Sequence, residues 1–356
     1  MILAAKKNAF IKLGLFLKQF AKQPYEQHAE VLFNDRYFEP FVSLISQLHE
    51  SNSWFKRPQL EFAFKSWSDA LTNDNLDKWL QPYELKEEGM NTVALILAGN
   101  IPMVGFHDVL AVLISGNKAL IKLSSNDQLL IPFLLEYLTE VEPEFAGRFE
   151  ITKEKLEGFN AVIATGSDNT ARYFDYYFGK YPNIIRKNRN SVAVLNGEES
   201  QDELVALGED IFRYYGLGCR NVSKIFVPKG YNFDAFFGGM FAYKEVIDDD
   251  KYANNYDYNK AVFLMSNFNL LDNGFLTIKE DVSYTSPISS VFYEYYDDVE
   301  VLGQRLKKDE EKIQCVVSNG LIPGSLPFGT TQTPALWDYA DNVDTMKFLL
   351  SLGIKL

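Results

Sequence analysis

The chain has 356 residues, 47% hydrophobic and 23% charged, enough apolar material for two domains or one two-lobed body. Its formal net charge is −13 and its pI is near 4.9, with no long Lys/Arg block. This argues against a nucleic-acid partner and requires any anionic cofactor to find a locally basic site or oriented backbone N–H groups. Two cysteines, Cys219 and Cys315, are too few for a disulfide framework. Three scattered histidines (His28, His49, His107) give no metal-site spacing and little material for a Ser-His-Asp triad. Thiol chemistry in a reducing compartment remains.

Residues 1 to about 88 read as helical. Phe10, Leu13, Leu15, Phe16, Leu17 and Phe20 have amphipathic spacing, which recurs through Val31–Leu48 and Leu60–Leu80. No linker separates this region, which is expected to pack against the body. The longest apolar stretch, Val93 to Ile114, contains Asn100, Pro102, His107 and Asp108, so no membrane span is expected and a cytoplasmic location is.

From residue 91 strands and helices alternate. Val93–Leu97 is a buried-strand run and Ala98-Gly99-Asn100 a turn; Pro102 suits the start of a helix over Met103–Ile114, and Ala119–Leu123 is the next strand. Such a βαβ unit implies parallel strands and a right-handed crossover. A helix near Leu129–Leu138 follows, then strand Ala161–Ile163 and turn Ala164-Thr165-Gly166-Ser167. A helix from Asn169 to about Tyr177 and a strand Ser191–Leu195 complete an open α/β nucleotide-binding pattern. A second α/β segment begins near residue 196. Its helix, Gln201–Tyr215, sets Leu204, Leu207, Ile211 and Phe212 on one face and Asp202, Glu203, Glu209 and Asp210 elsewhere. Gly216-Leu217-Gly218 stops it, Cys219 follows, and Ser223–Val227 is a strand.

Several of these positions can carry chemistry. Cys219, on a glycine-flanked connector, reads as a nucleophilic thiol or as a small buried residue; Arg220 and Lys224 lower its pKa if they face it. Asn100, at the carboxyl end of a strand, is a turn residue or an oxyanion donor. Lys122 is a solvated strand end or a contact for a cofactor ribose or phosphate. Thr165-Gly166-Ser167 caps a helix or holds a pyrophosphate. Cys315, in the strand-like Ile313–Val317, reads as core.

Taken in order, these segments resemble the aldehyde dehydrogenase superfamily, within it the acyl-CoA reductase branch similar to the LuxC-type fatty-acid reductases. AGNIPM resembles the segment whose Asn, here Asn100, shares the oxyanion hole with the nucleophile's own N–H. SGNKALIKLSS resembles the strand whose Lys, here Lys122, contacts the cofactor ribose, with Ser124 beside it. ATGS, with Thr165, Gly166 and Ser167, resembles the turn under the pyrophosphate. YYGLGCRNVSKIFV resembles the segment that delivers the catalytic Cys. Glu280-Asp281-Val282 with Ser286-Pro287-Ile288 is similar to the acidic segment at the nicotinamide ribose, and Leu326-Pro327-Phe328-Gly329 to a late loop near the active site, with Phe328 on the cofactor side. The similarity runs from about residue 90 to 330.

The resemblance implies an α/β, aldehyde-dehydrogenase-like fold with two Rossmann-like parallel-sheet domains. Its expected parts are an N-terminal helical region (1–88), a cofactor domain (89–195), a catalytic domain carrying Cys219 (196–325) and a C-terminal segment returning to the body (326–356). It implies a Cys219 acyl-enzyme formed from acyl-CoA or an acyl-carrier thioester and reduced by NADPH to aldehyde, in a homo-oligomer without a metal. The N-terminal helices or Trp337–Leu352 are candidates for assembly. Hydrolytic members carry a Glu before the strand corresponding to Ser191–Leu195; here Arg186-Lys187-Asn188-Arg189-Asn190 has no carboxylate. That favours thiol or hydride chemistry over attack by water, and Arg186, Lys187 and Arg189 either face phosphates or are solvated. The absence of an acid just after Lys122 (Ser124, Ser125, Asn126) leaves room for a 2′-phosphate. An acyl-phosphate or semialdehyde reductase using the same Cys, and a non-catalytic subunit with the same fold, remain alternatives. The aromatics between Tyr231 and Tyr296 form either core or an apolar channel.

Overall fold

The computed structural model describes residues 1–85, 91–266 and 268–352. In chain order the helices and strands are α1 (Leu3–Lys18), α2 (Asn34–Ser51), α3 (Arg57–Ala70), α4 (Asn73–Leu80), β1 (Thr92–Ile96), α5 (Phe106–Ile114), β2 (Lys118–Lys122), α6 (Leu130–Val141), β3 (Phe149–Ile151), β4 (Ala161–Thr165), α7 (Asp168–Phe178), β5 (Asn183–Arg186) and β6 (Asn190–Val194). They continue as α8 (Gln201–Phe212), β7 (Val222–Pro228), α9 (Phe233–Met240), α10 (Asp250–Met265), β8 (Leu270–Asp272), β9 (Thr277–Glu280), β10 (Ser290–Tyr296), α11 (Val299–Lys308), β11 (Ile313–Val317) and α12 (Thr345–Ser351). Two compact units result: Met1–Lys187 with Ala335–Leu356, and Asn188–Pro334.

The first unit holds a sheet of order β3-β2-β1-β4-β5, parallel throughout. Central β1 buries Val93, Ala94 and Leu95 completely, the near-continuous apolar run expected of a parallel strand covered on both faces. The N-terminal helices are part of this unit's own core: Phe10, Phe16, Phe41 and Phe64 join Leu110, Leu134 and Leu138 in one buried cluster. The expected border near residue 88 lies outside the described residues. The C-terminal stretch Trp337–Leu352 contributes to the same core through Met346 and Leu349, so packing rather than exposure is its local role. Trp79 Nε1 donates to the Tyr339 hydroxyl at 2.7 Å, fastening the stretch to α4.

The second unit holds a sheet of order β11-β6-β7-β10-β9-β8, parallel except for the antiparallel edge strand β8. The strand expected at Ser191–Leu195 is β6, and it pairs with β7 and β11 rather than joining the first sheet; the first sheet ends instead on β5. The chain therefore passes between units at 187/188 and 334/335, where 195/196 and 325/326 had been expected.

Two expected helices are shorter. Met103 adopts a left-handed backbone (φ +58°), which confines the first to Phe106–Ile114. Tyr214 and Tyr215 are also left-handed (φ +54° and +58°), so the helix expected to reach Tyr215 stops at Phe212. Aromatics of the 231–296 region divide between core and surface: Phe236, Tyr252 and Phe275 are buried, whereas Phe241, Tyr258 and Phe268 are exposed.

Candidate functional site

In the first unit the candidate residues share the carboxyl edge of the sheet. Ile96 at the end of β1 is level with Lys122 of β2 and Ala164 of β4, so the loops after all three strands emerge side by side. β1 is followed along the sheet by β2 on one side and β4 on the other, a reversal of strand order that opens a crevice at this edge. The turn after β1 lies against the loop after β2. A Cβ added to Gly99 would stand 2.7 Å from both Cβ and Oγ of Ser124, and 3.2 Å from Asp127 Cβ. Only glycine permits that approach. Asn100 is half-buried on this turn. Ser124 Oγ accepts the Asn126 N–H at 3.2 Å, and Asp127 accepts the Leu130 N–H at 3.4 Å at the start of α6. Burial pushes the Asp127 carboxyl up to about 6.

Lys122 donates through Nζ to the Glu154 carbonyl at 3.2 Å and lines a cleft of about 830 Å³ whose walls include Ile96, Leu156, Phe159, Phe174 and Tyr177. At the end of β4, Thr165 and the following Gly166 are half-buried and Ser167 is exposed. Ser167 Oγ accepts the Thr170 N–H at 3.4 Å and so caps α7. A Cβ on Gly166 would meet Phe174 at 2.9 Å and Thr170 at 3.0 Å.

The basic stretch before β6 splits three ways. Arg186 is buried in a two-pronged pair with Asp108, one arm at 2.9 Å, and also donates to Thr345 Oγ1 at 3.2 Å. It is thus a core cation of the first unit rather than a phosphate contact. Lys187 is exposed, 3.9 Å from Asp175. In the second unit, Arg189 donates to the Glu310 carbonyl at 3.1 Å.

The second unit presents Cys219 on the turn between α8 and β7. Ser200 and Glu203 form a capping box that starts α8. Beyond its end, Tyr214, Tyr215 and Gly216 are all left-handed, an arrangement that costs about 1–3 kcal/mol at a non-glycine residue and that the surroundings must enforce. Asn221 does much of the enforcing. Its Nδ2 donates to the carbonyls of Asp210 (3.0 Å), Ile211 (3.3 Å) and Arg213 (2.9 Å), while its Oδ1 accepts the Gly218 N–H at 2.8 Å. Ser191 Oγ donates to the Cys219 carbonyl at 3.2 Å. A bulge follows directly: Ser191 pairs with Val222 but Val192 with Lys224. Cys219 itself is half-buried.

Its neighbouring cations have other commitments. Arg220 Nη1 donates to Cys315 Sγ at 3.3 Å, so Cys315, although buried in β11, is held by a charged group. Lys224 is completely buried and donates to Glu294 Oε2 at 2.6 Å and to the Asp281 carbonyl at 2.9 Å. Burial holds its pKa below the ordinary lysine value against the pull of Glu294.

Glu280, at the carboxyl end of β9, is exposed and level with Tyr293 of β10, itself level with Ile225 of β7. It is two strand spacings, roughly 10 Å, from β7 and is not gathered onto the Cys219 turn. Phe328 is half-buried in a loop that α8 holds: Asp210 accepts the N–H groups of Gly329 (2.7 Å) and Thr331 (3.0 Å) and the Thr331 hydroxyl (2.8 Å). Asp210 is completely buried, not on an outer face, and burial raises its pKa despite those donors. Its spacing after Leu207 and before Ile211 signals the inner face; nothing local in the sequence signals the grip of Asn221 on α8, since the carbonyls it donates to lie 8 to 11 residues back. A crevice behind the turn, lined by Phe212, Tyr215, Val222, Leu276 and Pro287, measures only about 20 Å³, room for about one water and not for an acyl chain.

Among the described residues no helix is long and apolar enough to cross a membrane, and no His/Cys/Asp/Glu group is placed to hold a metal. Solved structures define the fold class. An aldehyde dehydrogenase 21 from Physcomitrella patens, in complex with succinate, is matched at a TM-score of 0.64 with 15% identity, over 89% of this chain and 73% of that one. An oxidoreductase from Marinobacter aquaeolei is matched at 0.63 with 13% identity over the same shares, and an indole-3-acetaldehyde dehydrogenase with NAD+ at 0.61 with 14% identity over 89% and 72%. The fold is that of the aldehyde dehydrogenases. Within it, the profile of the acyl-CoA reductase (LuxC) family matches residues 14–235, and the chain belongs to that family. It is 22% identical over 220 residues to long-chain acyl-protein thioester reductase 2 of Photobacterium leiognathi, a match covering 56% of this chain and 45% of that relative's length.

Proposed function

We propose that this protein reduces an acyl thioester, from acyl-CoA or an acyl-carrier protein, to the aldehyde by way of an acyl group carried on Cys219, with NADPH as reductant. The observation that carries the reading is the Cys219 turn: a half-buried thiol three residues beyond the left-handed run Tyr214–Gly216, on a turn clamped by Asn221 and Ser191, in a chain of the acyl-CoA reductase family.

The residues at the carboxyl edge of the first sheet fit a dinucleotide. The loops after β1, β2 and β4 emerge side by side, Ser167 caps a helix start, and Lys122 lines the adjoining cleft. A bound reduced nicotinamide supplies the hydride for the acyl carbon. In the proposed course the Cys219 thiolate attacks the thioester carbonyl and the donor thiol departs with the thiol proton, leaving a Cys219 thioester. After reduction the resulting thiohemiacetal gives up the aldehyde and returns the thiol. Asn100 is assigned as a donor to the oxyanion from the segment it resembles, and Thr165, Glu280 and Phe328 as cofactor contacts on the same ground. The absence of a carboxylate in Arg186–Asn190 supports reduction over hydrolysis.

Incubation with acyl-CoA followed by mass spectrometry should show one acyl adduct on Cys219, discharged as aldehyde by NADPH. Cys219→Ala should lose adduct and turnover while keeping nicotinamide binding; turnover retained in that variant would overturn the reading. A parallel acyl phosphate assay separates this reaction from that of acyl-phosphate reductases.

A further inference from the structure

Cys315 is the second thiol of the chain, and the reaction proposed above leaves it unused. It is buried in β11, yet its Sγ accepts a hydrogen bond from Arg220 Nη1 at 3.3 Å, and Arg220 directly follows Cys219. A buried thiol that only fills space has no need of a guanidinium. A cation beside sulfur favours the thiolate, the form that attacks other sulfur atoms.

Strand pairing brings both thiols to one residue. Val192 of β6 pairs with Val316 of β11, and both pack into the apolar cluster that holds Ile313. Side chains alternate across a strand, so Ser191 and Cys315, each one position earlier, share the opposite face. Ser191 Oγ donates to the Cys219 carbonyl at 3.2 Å. β6 pairs with β11 on one side and with β7, the strand after the Cys219 turn, on the other, so Ser191 stands between the two cysteines. Two strand spacings, about 10 Å, set the scale of their backbone separation, and a disulfide needs Cα atoms within about 7 Å. Irregular backbone on either side of the turn gives room to close the difference: the left-handed run Tyr214–Gly216 before it, and the bulge where Val192 pairs with Lys224 after it.

From these contacts we infer that Cys315 is a modification site, the thiol that captures Cys219 in a disulfide after a hydroperoxide has oxidised the nucleophile. This role rests on the reading of Cys219 as a reactive thiol and adds to it a second sulfur and a second class of reactant. The Cys219 thiolate attacks one oxygen of hydrogen peroxide, the O–O bond breaks, and hydroxide leaves as water once protonated, so Cys219 becomes a sulfenic acid. The Cys315 thiolate then attacks the Cys219 sulfur, the S–O bond breaks, and a second water departs. Two thiols and one peroxide thus give one disulfide and two waters, and a dithiol returns both thiols by exchange. The bridge diverts Cys219 from the sulfinic and sulfonic acids, which a dithiol does not reverse.

The test exposes the intact protein, without substrate, to a small molar excess of hydrogen peroxide and maps both cysteines by mass spectrometry of a non-reduced digest. The expected product is a linked Cys219–Cys315 peptide pair within one chain, undone by dithiothreitol with return of the acyl adduct on Cys219. In Cys315→Ser, whose Cys219 still takes an acyl group before oxidation, the same treatment should leave a Cys219 sulfinic acid that dithiothreitol does not rescue. Arg220→Met should slow formation of the linked pair about tenfold. Sulfinic acid without a linked pair in the parent protein, a pair found only between two copies of the chain, or equal recovery in parent and Cys315→Ser overturns the inference and leaves the acyl-carrier reading standing. A Cys219 that takes up neither an acyl group nor oxygen overturns both.

Discussion

The Oδ1 of Asn221 accepts the Gly218 N–H at 2.8 Å, so a residue two positions beyond Cys219 closes the turn on which the thiol stands. The same side chain ends α8 by donating to two of its otherwise orphaned carbonyls and to that of Arg213 just beyond. Asn221→Ala should therefore destabilise the protein by about 2–4 kcal/mol, since each buried group left unsatisfied costs about 1–3 kcal/mol. It should also slow acylation of Cys219 more than it weakens nucleotide binding. Urea unfolding and single-turnover acylation measure the two effects; unchanged values in both would show that the clamp is dispensable.

The buried Asp108–Arg186 pair makes a separate prediction for the first unit. Removing one partner leaves a buried charge uncompensated, so Asp108→Asn should cost about 3–5 kcal/mol. Asp108→Leu combined with Arg186→Met should recover most of that loss, because an apolar pair of similar volume pays no desolvation penalty. If nucleotide binding fell in the recovered double variant, Arg186 would have a role beyond packing.

Asp127 gives a pH dependence. Burial raises its folded pKa to about 6, above the ordinary carboxylate value near 3.9. A raised acid pKa means that the folded state holds the proton more tightly than the unfolded chain. Its stabilising contribution is complete below the unfolded pKa and is lost as pH rises through about 6. Asp127→Asn retains an oxygen acceptor for the Leu130 N–H without the charge. Its stability advantage over the parent should grow between about pH 4 and 6 and then level off, at no more than roughly 3 kcal/mol. A flat difference across that range in urea titrations would contradict the assignment.

Gly99 and Ser124 form a steric pair. Gly99→Ala places a methyl 2.7 Å from Ser124 Cβ and should cost about 1–3 kcal/mol by overpacking. A second change, Ser124→Gly, removes both clashing atoms and should restore most of the stability. Thermal unfolding of the single and double variants reports it; an additive loss would mean that the two loops do not meet as described.

The alternation of short apolar runs with amphipathic segments was sufficient to place β1, β2 and β4, because the buried centres of strands covered on both faces consist of little but Val, Ile, Leu and Ala. The β9 and β10 strands were less legible. Thr277–Glu280 and Ser290–Tyr296 mix Lys, Glu and Tyr with apolar residues, and Lys279 is buried only because Asp281 and the rings of Phe263, Phe268 and Phe292 surround its ammonium. The candidate site divides in the same way. Cys219, Asn100, Lys122 and Thr165-Gly166-Ser167 were visible as turns at strand ends, while the partners of Arg220, Lys224 and Arg186 were not, since Cys315, Glu294 and Asp108 lie 95, 70 and 78 residues away.

What local residue order settled was the alternating α/β architecture and the position of a thiol on a glycine-flanked connector, because both follow from side-chain periodicity and backbone freedom within a few residues. Tertiary packing decided the rest. It assigned β6 to the second sheet through pairing with β7 and β11, buried Asp210 beneath the Phe328 loop, and directed Arg220 to Cys315. Strand pairing and charge partnership depend on which distant segments come together, and that is set by burial of the whole core. Cys219 was conspicuous from its neighbours in sequence; the grip of Asn221 and Ser191 on its turn exists only once α8, β6 and β7 have packed.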